Sequence, residues 1–145
     1  MSAFRSFIRR YWRWLPALIC MAAIFILSSR TGDELDTVLP WAQMLFPGLE
    51  SFDPAHYVAY FALALCFAYG FGFRRMNGPR CALIVLMSVA YGLTDEWHQT
   101  FVPKRTADPS DLLHDAIGAA AAAAIVYIGY LWRAKRQKAD RQKRA

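Results

Sequence analysis

Residues 53–73 read DPAHYVAYFALALCFAYGFGF, and no charged residue follows Asp53 until Arg74. A helix needs about 20 mostly apolar residues to cross a hydrocarbon core of roughly 30 Å, and this stretch meets that length outright. Three more windows lack charge: between Arg13 and Arg30, between Arg80 and Asp95, and between Asp115 and Arg133. These suffice if the polar residues at their ends sit in the interface or inside a bundle. Backbone polar groups in lipid must be satisfied within the segment, so the windows predict helices, not strands. The chain of 145 residues is 57% hydrophobic, more than a soluble domain of its length carries. The expected fold class is all-α: a polytopic, multi-pass cell-membrane protein with four transmembrane helices.

Working outward, residues 1–13 form a basic arm, 14–132 the core and 133–145 a basic tail, in one domain spanning 1–145. The arm precedes an apolar run as in a signal peptide, but no clear A-x-A site follows, so an uncleaved first helix over residues 14–29 is expected. Residues 30–52 are read as an outer loop whose apolar stretch, 39–49, is too short to span and lies at the interface. Asp53 and Pro54 suit the cap and first position of a helix over 54–73. A basic turn, 74–80, leads to a helix from Cys81 past Glu96 toward Phe101. Asp108 starts the last helix, which ends near Trp132. The small residues 118–124 favour close helix approach.

Fourteen of the seventeen basic residues lie in the arm, the 74–80 turn and the tail. Arg30, Lys104 and Arg105 are the remainder, and ten of the eleven acids lie near them or at adjoining helix ends. The positive-inside rule therefore places both termini in the cytoplasm. The net charge of +6 belongs to these flanks, so nucleic acid is not the expected partner. Cys20, Cys66 and Cys81 each lie in an apolar window without CxxC spacing and read as core residues, not as a disulfide framework.

The candidate chemistry gathers at the outer helix ends. Asp53, His56, Tyr57 and Tyr60 share one helical face, as do Asp111, His114, Asp115 and Gly118. Asp95, Glu96, His98 and Gln99 occupy the outer turns of the third helix. Asp95 lies about 21 Å of helix beyond Cys81, within the outer hydrocarbon. Carboxylates there are costly unless paired or facing a wet cavity. Arg105 is the simplest partner, with Arg30 the alternative, in a polar funnel open to the outside. The bland readings are that Asp53 and Asp108 cap helices, Asp111 completes a capping box, Tyr60 is an interface aromatic, and Glu96 with Arg105 is a structural pair. Histidine and carboxylate would suit a divalent metal, but no HExxH-like spacing exists, so neither metal nor cofactor is expected. Ser28, Ser29 and Ser110 carry no nucleophile motif.

These residues resemble the VanZ-like membrane proteins. Ile24-Phe25-Ile26-Leu27-Ser28-Ser29 is similar to that family's Phe/Tyr-Leu-Ser-Ser segment. Asp53-Pro54-Ala55-His56 with Tyr60 resembles its Asp-Lys-x-x-His helix start, one residue shorter and with Pro for Lys. The strongest match runs from Tyr91-Gly92 to Gly118-Ala119, where the family reads Asp-Glu-x-x-Gln-x-Phe-x-Pro-Gly-Arg and then Asp-x-x-x-Asn-x-x-Gly. Asp95, Glu96, Gln99, Phe101, Pro103, Arg105, Asp111 and Gly118 match. Lys104 replaces the usual Gly, which would stiffen the loop and re-aim Arg105, and Asp115 replaces the usual Asn. His98 and His114 fall where the pattern is open. The resemblance implies a four-helix membrane fold; the family's namesake is associated with resistance to the glycopeptide teicoplanin, with no reaction attached.

Three functions follow as expectations. In the first, His56, Tyr60, Asp95, Glu96, Gln99, Arg105, Asp111 and Asp115 bind a polar or anionic headgroup of a membrane lipid or lipid-linked envelope precursor. In the second, the chain is an enzyme on such a substrate, with Asp95 or Glu96 as general base and His56 as acid partner. In the third, it is a structural subunit whose acids lock helices together, with the protein partner open. A transporter is disfavoured by the lack of inverted repeats and broken helices.

Overall fold

A computed structural model of the chain describes residues 11–45, 47 and 53–144. Among them every regular element is helical: α1 Leu15–Ser28, α2 Gly32–Leu45, α3 Asp53–Phe71, a 3-10 turn Phe73–Arg75, α4 Gly78–Gln99 and α5 Pro109–Arg144. Each boundary has a local cause. Pro16 lies in the first turn of α1, and the Ser29 hydroxyl closes the helix on the Phe25 carbonyl at 2.7 Å. Gly72, at φ 87°, ends α3 in a conformation that side chains disfavour. The Asn77 side chain caps α4 by accepting the Arg80 N–H at 3.0 Å. Asp108 caps α5 through the Ser110 N–H at 2.8 Å, and this bond holds its carboxyl below the ordinary aspartate range.

Two expectations about elements change. Residues 30–52 were expected as a loop, yet they contain α2. The cause is local: Thr31 N–H donates to Glu34 Oε2 at 3.1 Å, and Glu34 N–H donates to Thr31 Oγ1 at 3.3 Å. That is a capping box, and Asp33 and Glu34 also suit the positive end of the helix. The interfacial stretch 39–49 lies partly outside the described residues, as does the side chain of Asp53 and hence its expected cap. The last helix does not stop near Trp132 but runs to Arg144, since Ala, Lys, Arg and Gln propagate a helix well. Arg136 stacks 3.5 Å above the Trp132 ring in that extension.

α3 forms the centre, packed along α5 and against α1, while α4 packs on α5. The core joins Tyr60, Leu63, Ala64 and Phe67 of α3 to Ile84 of α4, Ala119 and Ala122 of α5, and Ala17 and Ile24 of α1. The alanines and Gly118 let α5 lie against α3 so closely that a Cβ on Gly118 would strike the Tyr57 backbone carbonyl. Trp14 closes the other end over Gly70, edge-on to Phe71 at 5.0 Å. The outside is as apolar as the inside: Leu18, Val58, Leu86, Leu113 and Ile128 are each more than half exposed, on every one of the four longer-packed helices. Such a surface fits lipid, not water.

Among the described residues two helices are long and apolar enough to cross a membrane, over Pro54–Phe71 and Pro109–Lys143. Leu15–Ser28 and Gly32–Met44 qualify together as a third, bent by 104°. α4 has 22 residues, but its last turns carry Asp95, Glu96, His98 and Gln99, which lower its hydropathy. The three cysteines are free and half-buried.

Candidate functional site

The polar faces of α3 and α5 meet as their spacing implies. His56 Nδ1 lies 2.9 Å from Asp115 Oδ1, and His56 Nε2 lies 3.5 Å from Asp111 Oδ2. Asp111 Oδ1 also lies 3.5 Å from His114 Nδ1, and the Tyr57 and His114 rings sit 4.5 Å apart. Asp115 is fully buried, and its Oδ2 stands where a side chain on Gly92 would be, 2.5 Å from the position of a Cβ. Gly92 therefore admits the carboxylate between α4 and α5.

Asp95 and Glu96 divide the remaining space, since adjacent helix residues point about 100° apart. Asp95 faces α1, where the Ser28 hydroxyl donates to its Oδ2 at 2.8 Å, with Gln99 Nε2 at a longer 3.5 Å. Glu96 faces α5 and accepts the Asp108 N–H on Oε2 at 2.8 Å. Glu96 thus fills the capping role that the spacing suggested for Asp111. Neither acid forms the expected ion pair with Arg105 or Arg30. Arg30 lies 3.6 Å from Glu34, and Lys104 lies 2.8 Å from Asp33. Arg105 has a buried Nε without a hydrogen-bond partner. Ser28 and the Asp108 N–H instead each take one oxygen of the two carboxylates, and Asp95 Oδ1 and Glu96 Oε1 have no partner among the described residues.

A cavity of about 750 Å³ opens between α1, α2 and α3. Ile24, Leu27, Leu35, Val38, Ala55 and Ala59 form its apolar wall, and Ser28, Arg30, Glu34, His56, Tyr60, Asp95 and Arg105 supply its polar groups. Tyr60 is fully buried, so it is no interface aromatic; its ring lies parallel to His56 at 6.4 Å and its hydroxyl has no partner. Of the eight expected binding residues, the structure brings His56, Tyr60, Asp95 and Arg105 to the cavity. Glu96, Asp111 and Asp115 gather behind His56, and Gln99 is buried beside Asp95 without lining the cavity. The α2 residues escaped the sequence reading. The Thr31–Glu34 capping box, followed by Leu35 and Val38 three apart, was the signal that could have found them. His98 lies apart, 3.1 Å from Ser29 Oγ and against Phe25.

The arrangement can do two kinds of chemistry. The buried Asp115 holds the His56 ring through Nδ1 while Nε2 lies toward Asp111, so the three groups can share and pass a proton. One donor atom each from His56, Glu96 and Asp111 also falls within 4.8 Å of the others, a spacing that could hold a cation. No local motif announces this group, because its donors come from three helices.

A family model described as VanZ/LLP1 matches residues 12–132. The matched span contains every residue of the cavity and of the cluster behind it. No curated protein and no solved structure matches the chain.

Proposed function

The chain belongs to the VanZ/LLP1 family, and on that premise we propose that it is a multi-pass cell-membrane protein whose outward-facing cavity binds an amphipathic envelope ligand. The ligand class is a membrane lipid or lipid-linked precursor with a polar or anionic head. One observation carries this reading: a cavity lined by aliphatic side chains is also lined by Asp95, His56 and Arg105. A chain of CH₂ groups would take the wall, and each buried CH₂ contributes about 0.8 kcal/mol. Arg105 would meet the head, since a guanidinium binds planar anions in a bidentate way. The four-span arrangement with cytoplasmic termini belongs to the same proposal. It rests on the charge asymmetry and on α4, whose 22 residues are about 33 Å long.

The test is native mass spectrometry of gently purified protein, wild type beside Arg105→Ala. A discrete co-purifying mass that the variant loses supports the reading, and the mass names the ligand. Bare, identical spectra for two folded proteins overturn it and favour a structural subunit. The association of the family's namesake with teicoplanin resistance extends the proposal to cells: Arg105→Ala should then shift glycopeptide susceptibility toward that of a deletion strain.

A second reading has its own observation. The His56 ring lines the cavity while its nitrogens face Asp115 and Asp111, a relay that would make it the acid partner to Asp95 or Glu96 as base on a lipid-linked substrate. Turnover of envelope lipids by wild type and not by folded His56→Gln would establish it; no turnover across those lipids would end it.

A further inference from the structure

We propose that His56, Glu96 and Asp111 hold a divalent transition-metal ion behind the cavity. His56 Nδ1 lies 2.9 Å from Asp115 Oδ1, and with the proton held there the Nε2 lone pair would turn toward Asp111. The Nε2–Oδ2 separation of 3.5 Å is too long for a good N–H···O bond. Glu96 is more than nine-tenths buried, and while its Oε2 takes the Asp108 N–H, its Oε1 has no partner. One candidate ligand atom from each of the three residues therefore lies within 4.8 Å of the others.

Charge points the same way. Glu96, Asp111 and Asp115 gather around His56, with His114 3.5 Å from Asp111 and Arg105 on the cavity side, while Lys104 is engaged by Asp33 and Arg30 by Glu34. Carboxylates gathered at a membrane helix end are costly, and a dication would balance them. Ligands at about 2.0–2.2 Å from such an ion stand roughly 3–4 Å apart, so small rotamer movements close the cage. The outer hydrogen bonds are already in place: Asp115 on His56, and the Asp108 N–H on Glu96, each orient a ligand as in known metal centres. One imidazole and two carboxylates suit zinc or manganese, with coordination positions left over. The site stands on these donors alone and does not depend on what fills the cavity.

The test uses the full chain in detergent, stripped with chelator and re-equilibrated with Mn²⁺ or Zn²⁺ alone. Elemental analysis after dialysis should find one ion per wild-type chain, and none in folded Glu96→Gln or Asp111→Asn. Asp115→Ala, which removes the orienting bond, should weaken binding about 10–100-fold. Pulsed EPR of the Mn²⁺ form should show one directly bound imidazole nitrogen, lost in His56→Gln. Arg105→Ala and His98→Ala should keep full occupancy, which separates this site from the cavity ligand and from surface histidines. A metal-free wild type overturns the proposal whatever the variants do, and would mean that a proton on His56 bridges the two aspartates. Binding that survives both carboxylate variants, or a Mn²⁺ signal without nitrogen, overturns it equally.

Discussion

Lys104 has φ 58°, the left-handed region that glycine occupies freely, and the family pattern carries Gly there. A side chain in that conformation costs about 1–2 kcal/mol. In return Lys104 Nζ reaches Asp33 at 2.8 Å, but both groups are exposed, and such pairs are worth about 0–1 kcal/mol. The strain is the larger effect, so Lys104→Gly should raise the thermal midpoint in detergent, while Asp33→Ala should leave it nearly unchanged. A midpoint that falls in Lys104→Gly would show that the loop needs the ion pair. The departure at 104 was readable from sequence as a stiffer loop; its anchoring to α2 was not, because α2 itself was read as loop. Arg105 makes the same point. Charge alone points to an acid as its partner, yet the hydrogen bond that Asp95 accepts comes from Ser28, an uncharged residue 67 positions before it.

At the scale of elements, the contact of α3 with α5 determines whether His56 meets Asp115. The shared spacing of the two polar faces and the small residues at 118–124 made that contact legible in the sequence. Its closeness is the part that needed coordinates. Gly118 lies against the Tyr57 backbone, one residue from His56, so Gly118→Ala must push the helices apart. Overpacking of this kind costs about 1–3 kcal/mol. The variant should unfold at lower temperature and should also lose affinity for whatever His56 binds. Ala124→Gly, on the exposed side of α5, is the control: it should cost about 1 kcal/mol of helix propensity and leave the site intact. If both variants lose only stability, the α3–α5 distance does not control the site. α2 is the opposite case. Its start is encoded over four residues, 31–34, and Thr31→Ala should loosen it by about 1 kcal/mol, read as faster amide exchange over 32–36.

For the whole molecule, the number of crossings decides where the cavity opens. If only α3 and α5 spanned, the basic turn at 74–80 and the basic tail would lie on opposite sides, against the positive-inside rule. If α1, α3 and α5 spanned, the tail would oppose the arm, with the same conflict. Four crossings put the arm, the turn and the tail together and leave Arg30, Lys104 and Arg105 outside with the acids. Single cysteines in a cysteine-free background separate these cases. With an impermeant thiol reagent on intact cells, Asp36→Cys and Thr106→Cys should label, whereas Asn77→Cys and Asp140→Cys should label only after lysis. Two crossings would instead pair position 36 with 140, and three would pair 77 with 106. Only the four-crossing pattern places the cavity's polar end at the outer headgroup level, where Arg105 could meet a lipid head without that head leaving its leaflet. Either other pattern would therefore move the ligand as well as the helices, and would remove the physical basis for an envelope ligand entering from the outer leaflet.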